Sequence, residues 1–480
     1  MERLANYIGG EYQAPLSNRY FENTNPANAK IIAMVPDSNS EDMDKAVHAA
    51  REAFPAWKRT SLSQRSKILR KLSQLILEHG DEIAHLESMD QGKPVWLASS
   101  MDVQRSAANF SFFAGAIDSL TNEAMQDQET LNYTWRDPMG VVGLITPWNL
   151  PLYLLTWKLA PALAMGNTVV CKPSELTPMT AFYLTKLLEK AELPKGVCNI
   201  VFGKGDPCGA ALVKHPDVPC ISFTGGTKTG LDIYTKGAAQ CKKIGLELGG
   251  KNPQIVFADA DIEECVQKTV QAAFLNQGEI CLCTSRLFVE ETVYARFIEK
   301  FAGYTQALKI GDPQKKDNFL GAVVSKAHLE KILSFVELAK SEGASALVGG
   351  EALHLEGEFA EGAFMMPTIL VGVNPKSKVM QEEIFGPVVC VHPFHSEDEV
   401  IALANDVSYG LSASVWTRNL SKAHRVAQNL QVGTVWINTW MKRDLRVPFG
   451  GTKFSGVGRE GGVHSLDFYS QSKNICVQLS

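Results

Sequence analysis

Apolar side chains recur at helical spacing through the first part of the chain. Met43, Val47, Ala50 and Phe54 lie three or four residues apart, and a longer series follows at the same spacing: Ile68, Leu72, Leu75, Ile76, Ile83 and Leu86. Side chains at this spacing share one face of a helix, and that face packs against the interior. After short strand-like segments at its start, the N-terminal third is therefore predicted to be helical.

From Val141 onward, the pattern changes to short β-branched and apolar runs separated by helical segments such as 180–191. The strand-sized runs are 141–146, 168–171, 199–202, 220–223 and 244–246, and the series resumes at 254–257, 287–290 and 388–392. Strands that alternate with helices form parallel sheets covered on both faces. The predicted fold class is α/β, with two doubly wound parallel sheets.

Two strand-like segments, 131–136 and 474–479, do not fit this alternation and are predicted to lie outside the main sheets. Such strands are often exchanged between subunits. The uncharged stretch 138–157 is long enough to span a membrane, but Pro138, Pro147 and Pro151 interrupt it. We predict a buried strand, a loop and the start of a helix there.

Composition narrows the functional classes. The chain has 480 residues, 45% of them apolar and 21% charged, which suits two or three globular domains. A net charge of -5 gives no reason to expect nucleic acid or membrane as a partner. Ten scattered cysteines suit reduced thiols, no metal-ligand spacing is present, and the first residues lack the apolar run of a leader. These features predict a cytoplasmic protein without a metal site.

Cys281 is the first candidate for chemistry. A cysteine among apolar residues is commonly a small buried side chain, and that interpretation stays open here. Gly278, three residues upstream, allows close approach, and Cys281 is predicted to lie near a helix start, where amide dipoles stabilise a thiolate. Glu279 opposes this if its carboxylate points at the sulfur, because a like charge raises the pKa of a thiol.

Two more polar side chains follow predicted strands. Glu247 runs from a buried strand into a Gly-Gly pair, where poor solvation raises the pKa of a carboxyl group as a general base requires. An ion pair with Lys251 is the alternative for Glu247. Asn149 lies between Pro147 and Pro151, which restrict its side-chain amide so that it can stabilise an oxyanion. A simple turn-forming role is the alternative for Asn149.

With further motifs, these segments resemble the aldehyde dehydrogenase superfamily along essentially the whole chain. The motifs occur in family order: GVVGLITPWN at 140–149, CKPSE at 171–175, FTGG at 223–226, LELGGK at 246–251, GEIC at 278–281, EEIFGP at 382–387, NDVSYGL at 405–411 and PFGG at 448–451. The resemblance implies an NAD-binding domain at 1–118 and 139–249 and a catalytic domain at 250–461. It also implies a small β oligomerisation arm at 119–138 and 462–480, in a homodimer or homotetramer.

The resemblance implies oxidation of a small-molecule aldehyde to a carboxylic acid. By position, Cys281 matches the nucleophile, Glu247 the base that activates water, and Asn149 with the Cys281 backbone N–H the oxyanion hole. Thiolate attack gives a thiohemiacetal, hydride loss leaves a thioester, and water hydrolyses it. Cys283 is the competing nucleophile, but the Gly-x-x-Cys motif selects Cys281. A purely structural protein would lack these residues, and a CoA-acylating enzyme would tend to lack Glu247.

The implied cofactor is NAD. Lys172 and Glu175 match ligands of the adenosine ribose, and a carboxylate at Glu175 repels a 2′-phosphate, which favours NAD over NADP. Gly225 and Gly226 would let the pyrophosphate approach a helix start. Gly226 and Glu279 depart from the family, which often has Ser and Gln there. The implied cofactor contacts are Thr146, Trp148, Lys172, Glu175, Gly225, Gly226, Leu248, Glu383 and Phe385, the last two gripping the nicotinamide ribose and ring.

Arg105 and Arg443 are predicted to select the substrate. By the resemblance, both lie at the entrance of the aldehyde tunnel, where guanidinium groups suit an aldehyde with a distal carboxylate. Surface ion pairs with Asp102 and Asp444 are the alternative. The implied apolar wall of the tunnel consists of Leu150, Tyr153, Trp157 and Leu275.

The sequence around both arginines is similar to the branch of the family that oxidises 2-aminomuconic semialdehyde in tryptophan catabolism by the kynurenine route. The 2-hydroxymuconic semialdehyde branch, from aromatic-ring catabolism, is closely similar. A betaine aldehyde is disfavoured as substrate because the arginines would repel its cation.

Overall fold

Five parallel strands form the centre of an eight-stranded sheet. In spatial order they are Lys243–Glu247, Cys220–Thr224, Val141–Ile145, Thr168–Lys172 and Cys198–Ile200. Antiparallel strands complete the two edges: Gly456–Val457 on one side, and Asn6–Ile8 with Glu11–Gln13 on the other. The computed structural model describes residues 2–479; the predicted domain limits Met1 and Ser480 lie outside them.

Chain order reverses direction at the strand Val141–Ile145. Its neighbour on one side, Thr168–Lys172, follows it in the chain, whereas Cys220–Thr224 on the other side comes much later. In doubly wound sheets, ligands bind beyond the carboxyl ends of the strands at this reversal. The topology therefore places a crevice next to the loops that begin at Thr146 and Gly225.

A seven-stranded sheet forms the second large layer. All of its strands are parallel except the edge strand Ser345–Val348. The order is Ser345–Val348, Thr368–Val371, Val388–Phe394, Thr284–Glu290, Asn252–Val256, Ser412–Trp416 and Thr434–Ile437. The prediction of an α/β fold with two doubly wound sheets is thus confirmed.

A third sheet of three antiparallel strands lies outside both large sheets. The strand Thr130–Pro138 occupies its centre, between Ala124–Gln126 and Ser470–Gln478. Both segments predicted to lie outside the main sheets are found here and pair with each other. Smaller β elements are Glu2–Arg3, Tyr20–Thr24, Ile31–Pro36, Tyr409–Gly410 and Thr452–Lys453.

Helices cover both large sheets, and several of them begin with a side-chain cap. Asn39 caps the first long helix in a reciprocal capping box with Asp42, and Met43, Val47 and Ala50 are completely buried. The longer helices are Ser40–Lys58, Leu62–Glu78, Gly80–Gln91, Gln104–Ala116, Pro151–Ala164, Met179–Lys190, Thr227–Ala238, Ile262–Phe274, Glu291–Gln306, Lys326–Ser341, Glu397–Asn405 and Leu420–Asn429. Shorter helical segments include Ala210–Lys214 and Gly462–Phe468.

The uncharged stretch 138–157 folds as predicted. A buried strand, Val141–Ile145, leads into a loop, and the helix Pro151–Ala164 begins with proline in its first turn. Every residue of this helix is buried, so it anchors the preceding loop firmly. Within residues 2–479, no helix has both the length and the apolarity needed to cross a membrane.

Candidate active site

A cavity of about 1070 Å³ lies at the predicted crevice. Its lining includes Cys281 and Asn149, together with all nine side chains or glycines expected to contact the cofactor: Thr146, Trp148, Lys172, Glu175, Gly225, Gly226, Leu248, Glu383 and Phe385. Residues that are far apart in the sequence therefore meet around one space large enough for a dinucleotide. Glu247, Arg105 and Arg443 are not part of this lining.

One end of the cavity carries paired charges and a helix start. Lys172 Nζ lies 2.8 Å from Glu175 Oε2. Burial opposes ionisation of Glu175, but the neighbouring ammonium group prevails and holds the pKa of this carboxyl below its usual value. Gly226 immediately precedes the helix Thr227–Ala238, whose first N–H groups are available to an anion.

Glu383 lies further along the same cavity, where a pair of glycines makes room for it. The Gly250 N–H donates to Glu383 Oε1 at 2.8 Å. A Cβ on Gly249 would lie only 2.1 Å from Glu383 Oε2, so any larger residue would displace the carboxylate. Burial raises the pKa of Glu383 to about 7.

Aromatic rings pack beside Glu383. Trp148 meets Phe385 edge to face at 5.3 Å and His328 at 5.1 Å between ring centres. His328 and Lys331 also line the cavity, and neither was predicted from the sequence. Both lie on the helix Lys326–Ser341, and the sequence of this helix shows only an ordinary amphipathic pattern.

Cys281 lies in a turn, and the prediction of a helix start there is wrong. The helix Ile262–Phe274 ends before it, a short 3₁₀ segment Leu275–Gly278 follows, and the strand Thr284–Glu290 begins after it. Within residues 2–479, the helix N-terminus that was expected at Cys281 to stabilise the thiolate is therefore not found there. Burial raises the pKa of the Cys281 thiol, and the carboxyl groups of Glu383 and Glu247 raise it further.

The turn itself is held from the neighbouring strand. Asn252 Nδ2 donates to the carbonyl oxygens of Cys281 at 2.7 Å and Cys283 at 2.9 Å. Cys283 is buried and its Sγ lies 3.8 Å from the Leu275 carbonyl oxygen, whereas Cys281 is half-buried and lines the cavity. The geometry therefore favours Cys281 over Cys283 as the nucleophile.

Glu279 points away from the sulfur. Its carboxylate accepts hydrogen bonds from Gln91 Nε2 at 2.6 Å and from the Val324 N–H at 3.0 Å, and the side chain is completely buried. Burial raises the pKa of Glu279 well above its usual value. This residue belongs to the packing behind the turn and does not face Cys281.

Asn149 is buried at the start of the anchored helix and is oriented by several contacts. Its Nδ2 donates to the Glu279 carbonyl oxygen at 2.9 Å. Its own carbonyl oxygen accepts from Lys93 Nζ at 3.0 Å and from Asn276 Nδ2 at 3.2 Å. The amide thus lies next to the turn that carries Cys281, as an oxyanion donor must.

Glu247 ends a strand and is nearly buried. Burial raises the pKa of its carboxyl well above the usual value, and the neighbouring charge of Glu460 adds to the effect. A Cβ on Gly450 would lie 2.7 Å from Glu247 Oε1, so this glycine leaves the space that the carboxyl occupies. The alternative of an ion pair with Lys251 is wrong: Lys251 Nζ is buried and has no hydrogen-bond partner within residues 2–479.

Glu460 and Lys158 form a buried ion pair that sequence analysis missed. Lys158 Nζ lies 2.7 Å from Glu460 Oε1, and Trp157 Nε1 donates to the other carboxylate oxygen. The two residues are about 300 positions apart in the chain, so no local pattern could have linked them. Both residues act on the pKa of Glu247: Glu460 raises it and Lys158 lowers it.

Arg105 and Arg443 meet at Tyr153. The guanidinium carbon of Arg443 lies 4.2 Å from the ring centre of Phe449 and 4.4 Å from that of Trp157. Both arginines also lie over the Tyr153 ring, at 5.4 and 5.5 Å, and Arg443 donates to the Tyr153 hydroxyl. Aromatic faces stabilise guanidinium groups that water cannot reach.

Neither arginine forms the surface ion pair that was the alternative. Asp444 pairs with Arg446, and Asp102 Oδ2 is bound by Lys93. Arg443 Nε and Nη2 are buried without a hydrogen-bond partner among the described residues. Burial, followed by repulsion from Arg105, lowers the pKa of Arg443 to about 9. Two adjacent guanidinium groups with free donors form a site that suits an anion.

Apolar residues connect this arginine pair to the nucleophile. Leu150, Tyr153, Leu275 and Phe449 belong to one apolar cluster that also contains Cys281. Trp157 was predicted to form part of the tunnel wall, and its position differs from that prediction. It packs in the hydrophobic core beside the eight-stranded sheet, and the face of its ring contacts Arg443. It supports the arginine rather than lining the path to Cys281.

The family model described as the aldehyde dehydrogenase family matches residues 12–475. A 2-aminomuconic semialdehyde dehydrogenase from Danio rerio is 52% identical over 99% of this chain and 98% of its own length. A 2-hydroxymuconic semialdehyde dehydrogenase from Pseudomonas sp. (strain CF600) is 44% identical over the full length of both chains. Among solved structures, the NAD⁺ complex of an aldehyde dehydrogenase from Bacillus cereus superimposes with a TM-score of 0.97 at 40% identity, covering 100% of this chain and 97% of that chain.

These comparisons agree with the geometry of the cavity and with the motifs along the chain. The matched region includes the parallel strands of both large sheets, the turn that carries Cys281 and the loop that carries Asn149. The chain belongs to the aldehyde dehydrogenase family and is an oxidoreductase that acts on aldehydes.

Proposed function

We propose that this enzyme oxidises 2-aminomuconate 6-semialdehyde to the corresponding dicarboxylic acid with NAD. The observation that carries the proposal is the pair Arg105 and Arg443, whose guanidinium groups have no carboxylate partner among residues 2–479 and contact an apolar cluster that includes Cys281, through Tyr153 and Phe449. Relatives about half identical to the chain and named for this substrate support it.

The first chemical step joins Cys281 to the aldehyde. Burial and nearby carboxyl groups raise the pKa of its thiol, so the proton must leave the sulfur, passing to solvent water, as the sulfur attacks. The sulfur bonds to the carbonyl carbon, and the carbonyl oxygen becomes an oxyanion. The Asn149 amide and the Cys281 N–H hold that oxyanion by hydrogen bonds.

The cavity suits NAD in size and polarity. Lys172 and Glu175 would bind the adenosine ribose, the start of helix Thr227–Ala238 the pyrophosphate, and Glu383 with Phe385 the nicotinamide side. A bound NAD would supply an acceptor for the hydride that leaves the former aldehyde carbon. A carboxylate at Glu175 opposes a 2′-phosphate, which is why we assign NAD rather than NADP.

The second chemical step releases the acid. The thioester on Cys281 is attacked by water, and Glu247 in its carboxylate form takes a proton from that water. The carbon–sulfur bond then breaks, the product leaves as a carboxylate, and the thiol is restored. Glu460 and Lys158 control how readily Glu247 ionises, because Glu460 raises its pKa and Lys158 lowers it.

The arginine pair would bind the carboxylate at the far end of the substrate. Charge-assisted hydrogen bonds from Arg443 Nε and Nη2 would satisfy two donors that are otherwise buried without partners. A 2-hydroxymuconic semialdehyde carries the same distal carboxylate, and relatives named for it are 42–44% identical to the chain, so it is the second candidate substrate.

We also propose a homodimer or homotetramer that works in the cytoplasm. The sheet of Thr130–Pro138 and Ser470–Gln478 exposes Trp135 and Val477 to 50% and 41%, as surfaces that pack on a second subunit do. All ten cysteines are free thiols, which suits a reducing compartment. The division into an NAD-binding domain, a catalytic domain and an oligomerisation arm is part of this proposal.

The test is a comparison of aldehydes with the purified enzyme, following NADH formation. We expect kcat/KM for 2-aminomuconate 6-semialdehyde to exceed that for an uncharged unsaturated aldehyde of the same length by about 10- to 100-fold. This is the ratio that one charge-assisted hydrogen bond to the distal carboxylate would produce. The 2-hydroxy analogue serves as a second acidic substrate. Equal kcat/KM for acidic and uncharged aldehydes would contradict the proposed substrate class.

A further inference from the structure

Lys93 is a buried cation that the proposed reaction does not use. It follows the helix Gly80–Gln91 and is completely inaccessible to solvent. Its Nζ donates to Asp102 Oδ2 at 3.1 Å, and a carboxylate oxygen of Glu87 lies 3.5 Å away. A buried ammonium group is tolerated only when such partners surround it, so Lys93 has a fixed position.

The remaining contact of Lys93 is to the catalytic loop. Its Nζ lies 3.0 Å from the carbonyl oxygen of Asn149, which also accepts from Asn276 Nδ2 at 3.2 Å. Asn276 Nδ2 donates in addition to the Glu279 carbonyl oxygen, the same atom that accepts from Asn149 Nδ2. The backbone and the side chain of Asn149 are therefore fixed by one connected set of hydrogen bonds.

The loop that carries Lys93 also holds the other side of the site. Gln91 Oε1 accepts from the Lys93 N–H at 3.1 Å, and Gln91 Nε2 donates to Glu279 Oε2 at 2.6 Å. Glu279 lies two residues before Cys281. The end of this helix and the residues just after it, 91–93, thus contact both the loop that carries Asn149 and the turn that carries Cys281.

We propose that Lys93 is a positioning residue, which anchors the Asn149 backbone so that the Asn149 amide points at the forming oxyanion. This inference rests on the proposed function, because it requires Asn149 to donate to that oxygen. Lys93 acts through Asn149 and does not touch the substrate. An oxyanion donor works only at hydrogen-bond distance from the oxygen, and a displacement of about 1 Å can lower a rate about 100-fold.

Asp102 connects Lys93 to the helical segment that carries Arg105. It binds Lys93 and precedes Arg105 by three residues, on the helical stretch that continues into Gln104–Ala116. Removing the charge of Asp102 would loosen Lys93 without creating a cavity. An Asp102→Asn variant is therefore a gentler way to disturb the same contact.

The experiment is a double-mutant cycle read by the pre-steady-state burst of NADH, which reports attack and hydride transfer before hydrolysis. Lys93→Met should slow the burst about 10- to 100-fold, and Asn149→Ala about 100- to 1000-fold. Because Lys93 acts through Asn149, adding Lys93→Met to Asn149→Ala should change the burst by less than about 3-fold. Aldehyde binding and the melting temperature of Asn149→Ala are measured alongside.

Controls separate positioning from general stability. Lys242 is another buried lysine that donates to a backbone carbonyl, that of Val218 at 2.8 Å, so Lys242→Met should disturb stability and leave the burst unchanged. If Lys93→Met does not fold, Asp102→Asn takes its place in the cycle. Asp102→Asn alone should slow the burst about 3- to 10-fold, and it should have no further effect when combined with Asn149→Ala.

Additive losses in the double variant would overturn the proposal, because Lys93 would then act independently of Asn149. An undiminished burst in both Lys93→Met and Asp102→Asn would overturn it as well. If Asn149→Ala itself keeps the full burst, the oxyanion assignment of the proposed function fails, and the role of Lys93 fails with it.

Discussion

At the scale of single residues, the reacting groups are poorly ionised by themselves. Burial raises the pKa of both Cys281 and Glu247, and the carboxyl groups around Cys281 raise its pKa further. A carboxylate whose pKa is raised is a stronger base than a free one, which suits Glu247 to taking a proton from water. In the proposed mechanism, the proton of the Cys281 thiol therefore leaves as the sulfur attacks.

Replacing Glu247 by Gln should separate the two halves of the reaction. Without a base for water, thioester hydrolysis should slow about 100-fold or more, and an acyl group should accumulate on the enzyme. Mass spectrometry of peptides from the quenched enzyme should find that group on Cys281. The same adduct should form when Cys283→Ser is added to Glu247→Gln. In the Glu247→Gln variant itself, an adduct on Cys283 would contradict the assignment of the nucleophile.

The pH dependence follows from the same residue. Hydrolysis needs the Glu247 carboxylate, whose fraction increases as the pH rises through its raised pKa. The rate of acyl-enzyme hydrolysis in wild type should therefore increase with pH from a point well above the usual glutamate value of 4.5, then level off. Glu247→Gln should lose this dependence, and a wild-type profile unchanged by the substitution would assign the titration to another group.

At the scale of elements, the site depends on strand ends and turns. The strand Lys243–Glu247 delivers Glu247, and the loop before helix Pro151–Ala164 delivers Asn149. Cys281 comes from an irregular turn held by Asn252, where local periodicity gives no guidance. Strand ends were predictable from short apolar runs, whereas the turn could not be distinguished from the start of a helix.

The small third sheet gives a prediction at this scale. Trp135 and Val477 lie on neighbouring strands, at positions that share one face, and both are exposed. Charges there should weaken packing between subunits, so Trp135→Asp with Val477→Asp should shift the protein to a smaller species in light scattering. Leu420→Asp, at a residue exposed to 72%, is the matched control. An unchanged mass in the double variant would remove this sheet from the interface.

At the scale of the whole molecule, the sequence predicted more of the cofactor side than of the substrate side. All nine expected cofactor contacts line one cavity; they were named from the resemblance of their motifs, and seven of them lie at or shortly after the ends of parallel strands. Arg105 and Arg443 were predicted as a pair and both lie over the Tyr153 ring, yet Tyr153 and Trp157 come from a segment distant from both arginines. Lys93 was not predicted at all, since its partners Asp102 and Asn149 are joined only by folding.

The most direct test of the central claim is the selectivity of the arginine variants. The measurement is kcat/KM for 2-aminomuconate 6-semialdehyde and for an uncharged aldehyde of similar length in wild type, Arg105→Ala, Arg443→Ala and the double variant. Arg446→Ala, a neighbouring arginine that pairs with Asp444, is the control. Each single variant should lose about 10- to 100-fold on the acidic substrate and little on the uncharged one, and the double variant should be non-additive. Equal losses on both aldehydes would contradict a carboxylate-binding pair.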